Sequence, residues 1–179
     1  MVPERYNTND TNDNALTSLI ALASYPKLLV REEKGWRNVS TNQQVNLAPV
    51  SINKSTAKPP RWLSFYQTVQ TRSKLPTAFD TSGVPELAIV TLLGEAEFKV
   101  FAGVVAIDGS KIRFRVRTWR TLVALKILRA KVTHVLTSMI QDPGKPLAYS
   151  IQVWANLWQK ILDTNEQDVK LESVPVPKR

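Results

Sequence analysis

The sequence predicts an α+β protein: an antiparallel sheet with a central hairpin at Asp108-Gly109, packed against a helix at about 121–140. Three observations carry that reading. From Ser110 to Trp119 the residues alternate, with Ile112, Phe114, Val116 and Thr118 on one side and Lys111, Arg113, Arg115, Arg117 and Trp119 on the other, the period of a half-buried strand. The Asp108-Gly109 dipeptide before it tolerates positive φ in a two-residue hairpin turn. Past Thr121 the spacing switches to threes and fours through Leu122, Leu125, Leu128, Val132, Val135, Leu136 and Met139, a helical stripe.

Residues 1–14 are rich in Asn, Thr and Asp and read as a mobile polar tail. Asn14 is placed to cap a helix from Ala15 to Ser24, with Leu16, Leu19, Ile20 and Ala23 on its apolar side and Pro26 as its stop. Lys27 to Arg31 is a short strand. Glu32 to Pro60 reads as loop, with one strand near Val45 to Leu47. Trp62 to Thr71 is strand-like, and Pro76 to Pro85, with two prolines and Gly83, is a connection. Leu87 to Leu93 is a continuous apolar run of strand length, and Glu97 to Ile107 feeds the hairpin. Asp142 to Pro146 ends the helix. Leu147 to Leu162 reads as a strand running into a short helix. Asp163 to Arg179 is an extended C-terminal tail, which leaves residues 15–162 as a single domain.

Composition narrows the chemistry. The 179 residues hold one His and no Cys, which excludes disulfides, thiol nucleophiles, iron–sulfur clusters and Cys-based zinc sites. No catalytic residue, metal ligand or cofactor is therefore assigned. No stretch offers the roughly 20 apolar residues of a membrane span, and the start lacks the basic n-region of a signal peptide. The expected setting is the cytoplasm.

Charge is the informative feature. The 24 Lys and Arg outnumber the 15 Asp and Glu, and nearly all of the +9 excess lies between Gly109 and Gln141. That stretch holds Lys111, Arg113, Arg115, Arg117, Arg120, Lys126, Arg129 and Lys131 and no acid. Side chains on one strand face repeat every 6.6–6.8 Å, so Lys111, Arg113, Arg115 and Arg117 make a row of roughly 20 Å. That step resembles phosphate spacing, and Trp119 stands at the end of the row where a base could stack. Cations held together without carboxylates repel one another. The expectation is a polyanionic partner, nucleic acid or an anionic membrane surface. The competing reading is an edge-guarding ladder, or pairing with Glu32, Glu33, Glu95 and Glu97.

Weaker signals each have a plain structural explanation beside the functional one. Glu97-Phe98-Lys99, with Pro85-Glu86 upstream, looks like the acidic-x-Lys element of magnesium nucleases; such triplets arise easily by chance. His134 beside the apolar stripe reads as packed or surface histidine. Trp154 and Trp158, one helical turn apart, read as core packing ahead of a membrane or partner anchor. Lys58-Pro59-Pro60-Arg61-Trp62 reads as a turn into a strand ahead of a proline-type peptide ligand.

In organisation the chain resembles the matrix proteins of plant rhabdoviruses and related negative-strand RNA viruses. The shared features are a polar N-terminus, a basic Cys-free chain, proline-bearing loops near Lys58-Pro59-Pro60, and an antiparallel sheet followed by a helix. Matrix proteins carry much of their positive charge near the N-terminus, and this chain does not. The resemblance implies a non-enzymatic structural protein of virion and host cytoplasm. It would self-associate into oligomers, contact the nucleocapsid or its RNA, and touch an anionic membrane. A soluble RNA-binding regulator, such as a silencing suppressor, is the alternative from a different class.

Overall fold

A computed structural model describes residues 12–70, 74–163 and 171–173. The chain divides into two compact units, Met1–Pro85 and Glu86–Arg179, where the hydrophobic pattern suggests one domain over 15–162. Residues 1–11 of the expected tail lie outside the described residues, and residues 13 and 14 are already helical.

The first unit is a closed barrel of five strands: β1 (Leu28–Glu32), β2 (Gly35–Asn38), β3 (Gln44–Leu47), β4 (Trp62–Val69) and β5 (Thr77–Gly83). They run in the order β1-β2-β3-β5-β4, with β4 returning to β1. All neighbours are antiparallel except β3 and β5, which pair in parallel through Asn46–Thr77 and Leu47–Ala78. Leu29, Val45, Leu47, Leu63, Phe65 and Ala78 fill the interior, and half-buried Trp36 packs against them. Closure satisfies the strand edges that an open sheet would leave unpaired.

Two barrel strands correct the expectation from sequence. β5 occupies the supposed connection: Pro76 and Pro85 stand just outside it, so neither removes a ladder donor, and six registered pairs join it to β4. β2 lies within the expected loop, started by Gly35 at φ +117° after a Glu33-Lys34 turn, a backbone region open to glycine.

Helix α1 (Asp13–Ser24) precedes the barrel. Its cap is Asn12, whose side-chain oxygen accepts the Ala15 N–H at 2.8 Å, rather than Asn14. The buried face is Ala15, Ser18 and Ala21, while Leu16, Leu19 and Ile20 are exposed, the reverse of the expected stripe. α1 packs on β4 and β5, and small side chains permit that close approach. The short α2 (Ile52–Ser55) is pinned to β5 by Asn53, whose amide donates to the Thr81 carbonyl at 2.8 Å and to its hydroxyl at 3.0 Å.

The second unit opens with α3 (Glu86–Leu92). The expected strand is a helix here, because a short run that is apolar on all sides does not distinguish the two conformations. Leu87, Ala88, Ile89, Val90 and Thr91 are all buried, so the helix is enclosed. The sheet comes next, in antiparallel order β6 (Ala96–Lys99), β7 (Val104–Ile107), β8 (Ile112–Val116) and β9 (Leu171–Ser173). β7 and β8 meet at Ile107–Ile112, joined by the four residues 108–111 rather than by two. Asp108, Gly109 and Ser110 all have positive φ. Residues 171–173, expected within an extended tail, form the edge strand; residues 164–170 and 174–179 lie outside the described residues.

Two helices complete the second unit. α4 (Trp119–Gln141) starts at Thr118, whose hydroxyl accepts the Thr121 N–H at 3.2 Å. It buries Leu122, Leu125, Leu128, Val132 and Val135, while Met139 is exposed. α5 (Tyr149–Asp163) is one continuous helix, not a strand and a helix. Buried Trp158 and Leu162 extend a spacing of four from Trp154, which outweighs the brief alternation at Tyr149, Ile151 and Val153. The Trp158 indole N–H donates to the Thr91 hydroxyl at 3.3 Å, so a buried polar atom is satisfied.

Candidate functional site

The acid-free stretch of sequence does not become one acid-free surface. β8 turns Ile112, Phe114 and Val116 inward and Arg113 and Arg115 outward. Only those two cations stand on the strand. Lys111 belongs to the turn, Arg117 comes just after the strand at its far end, and Trp119 and Arg120 begin α4. The strand pairs bring carboxylates to the same sheet face: Glu172 lies opposite Arg115, and Glu97 is in the Ala106–Arg113 row. Glu97 pairs with Lys99 at 3.2 Å, so the acidic-x-Lys triplet forms a surface ion pair. Among the described residues, no three His, Asp or Glu side chains gather as a metal-holding group.

The helical cations also separate. Arg129 is a structural residue: its guanidinium donates to the Val90 carbonyl at 2.8 Å, to the Leu93 carbonyl at 3.0 Å, and to that of Gly94. A helix leaves its last carbonyls unpaired and its C-terminus partially negative, so a cation there satisfies both. Arg129 thus closes α3 and leaves the set of ligand-binding candidates. The Lys131 ammonium lies 5.7 Å from the Trp154 ring centroid, between α4 and α5. Lys126 is exposed on α4. Exposed His134 has a plain surface position.

A groove of about 350 Å³ lies on the barrel. Its walls are β1–β2 residues Arg31 to Trp36, β3 residues Gln44 to Leu47, Asn53 and Lys54 of α2, and Pro59 and Leu75. Three cations, Arg31, Lys34 and Lys54, line it, with Glu32 and Glu33 as the acids. Arg31 is steadied by its backbone N–H, which donates to the Arg61 carbonyl at 2.9 Å, and Lys54 by the Asn53 anchor one residue earlier. Arg37, next along β2, is held by Glu32 at 2.7 Å. That hydrogen bond raises its pKa above the ordinary guanidinium value. Trp36 provides a half-buried aromatic wall. The groove's three cations and Trp36 do not stand out in the sequence, where Arg31 ends an expected strand and Glu32 to Pro60 reads as loop. The one local signal is Lys34-Gly35-Trp36, a cation and an aromatic flanking a turn glycine.

A five-stranded barrel with a groove on the β2–β3 face beside the β1–β2 loop is similar in architecture to the oligonucleotide- and oligosaccharide-binding folds. A family model described as oligonucleotide/oligosaccharide-binding (OB)-fold matches residues 16–95. The match contains all five barrel strands and ends beyond α3. The first unit is thus a closed five-stranded barrel similar to the OB-fold family, whose description concerns ligand binding, whereas the matrix resemblance concerned virion assembly. No helix among the described residues is long and apolar enough to cross a membrane.

Proposed function

We propose that this chain is a nucleic-acid-binding module that takes an unpaired oligonucleotide in the barrel groove and acts by binding rather than catalysis. The observation that carries this reading is the position of the groove, on the β2–β3 face where barrels of this class take extended ligands. Its cations favour a phosphate-bearing ligand over a neutral oligosaccharide. Arg31, Lys34 and Lys54 line the groove and supply charge for backbone phosphates, and Trp36 supplies an aromatic surface for a base. A groove of this size suits a short stretch of single strand. Neither membrane contact nor self-assembly is needed for this activity.

The test is anisotropy of a short labelled oligo(U) titrated with the full chain, with a neutral maltooligosaccharide as competitor. The oligonucleotide is expected to bind at low salt and to resist the sugar. Replacing both Lys34 and Lys54 with Ala should weaken binding and reduce the slope of log K against log salt by about 1.4, two single-strand phosphate contacts. An unchanged affinity and slope in that variant, or displacement by the sugar, would refute the reading.

A further inference from the structure

We propose that the second unit carries its own platform for unpaired nucleic acid, built from Phe101 and Trp119 with Arg117 and Arg120 beside them. Phe101 sits on the short 3-10 turn Val100–Ala102 between β6 and β7 and is fully exposed, at 108%; Trp119 is 61% exposed. Both rings are left in water and offer flat apolar faces that a partner could cover. They belong to the same end of the sheet. The Val116 N–H donates to the Gly103 carbonyl at 2.8 Å, and α4 packs against the 3-10 turn. Gly103 permits this approach: it has φ +62°, and a Cβ there would stand 3.2 Å from the Val116 carbonyl oxygen.

Charge selects the occupant. The Arg120 guanidinium lies 5.7 Å from the Trp119 ring centroid, and Arg117 stands two residues before that ring. Among the described residues neither arginine has a carboxylate within ion-pair distance. Of the acids on the sheet, Glu97 pairs with Lys99 and Glu172 stands in register with Arg115. Flat exposed rings beside uncompensated guanidiniums match stacked bases and their phosphates. A duplex hides its base faces, so the occupant is single-stranded. Arg113 and Arg115 take no part, and the site stands independently of the barrel groove.

The test measures a labelled 20-nucleotide oligo(U) against the full chain and three variants: Phe101→Ala with Trp119→Ala, Arg117→Ser with Arg120→Ser, and Lys34→Ala with Lys54→Ala. Both rings are exposed, so the fold should persist, which far-UV circular dichroism verifies. Loss of the two rings should weaken binding about tenfold or more, and loss of the two arginines should flatten the salt dependence. If only the barrel variant loses affinity, the platform is overturned and the barrel reading stands. If only the platform variants lose it, the barrel reading fails and the platform stands. Unchanged oligonucleotide affinity, with a ring-dependent change in size-exclusion mass or in flotation with phosphatidylserine vesicles, would assign the surface to a second copy or to a membrane and overturn the proposal.

Discussion

The two units treat charge in opposite ways. In the barrel, cations and carboxylates are interspersed along the chain from Arg31 to Arg37, yet folding sets Arg31, Lys34 and Lys54 around one groove. In the second unit the sequence runs from Gly109 to Gln141 without an acid, yet folding disperses it. Arg129 goes to the end of α3, Lys131 to the Trp154 ring, and Arg115 to a position opposite Glu172. A charge run in a sequence is therefore a count, whereas a site is a convergence. Convergence depends on pairings between distant residues, such as the parallel β3–β5 contact that closes the barrel.

The largest expected effect comes from the cation the comparison reassigns. Arg129→Ala should destabilise the protein by about 3 kcal/mol, because it removes charge-assisted hydrogen bonds and strands buried carbonyls. Lys126→Ala on the same helix should cost less than about 0.5 kcal/mol. Urea unfolding of both variants checks this, and equal midpoints would return Arg129 to the surface set. Next comes salt. Binding of an oligonucleotide short enough to fill only the barrel groove should show a log–log slope of about −2, for three phosphate contacts on a single strand. If all eight cations of the 109–141 stretch acted together, the slope would be about −6. A slope near the steeper value would erase the contrast between the units. The smallest effect is Glu32→Gln. It frees Arg37 beside the groove and should raise affinity roughly two- to threefold, the scale of an exposed ion pair; reduced affinity would show that Glu32 positions Arg37 for the ligand.

Much of the second unit is legible because its signals are local. The alternation Ile112, Phe114, Val116 places three buried side chains on β8, and the stripe from Leu122 to Val135 is the buried face of α4. Arg115, Arg117, Trp119 and Arg120 are exposed, as the pattern implies. The barrel is less legible. β1, β3 and β4 fall on expected strands, but β2 has four residues, too few for alternation to register, and β5 is flanked by prolines that imitate a loop. α1 misleads for a different reason: its apolar stripe is real, but packing selects the small face, Ala15, Ser18 and Ala21. Phe101 gives no signal, since exposure of a single aromatic is a property of the folded surface.

Taken alone, the residues settled whatever rests on composition and on neighbours a few positions apart. There is no thiol chemistry, β8 is amphipathic, α4 is long, and positive charge is in excess. Tertiary structure decided the features that depend on distant partners: that Leu87–Leu93 coils into an enclosed helix, that five weak strands close into a barrel, and which cations share a face. The physical reason is range. Backbone periodicity is written over a few residues, whereas a binding surface is assembled from segments whose separation in sequence says nothing about their separation in space.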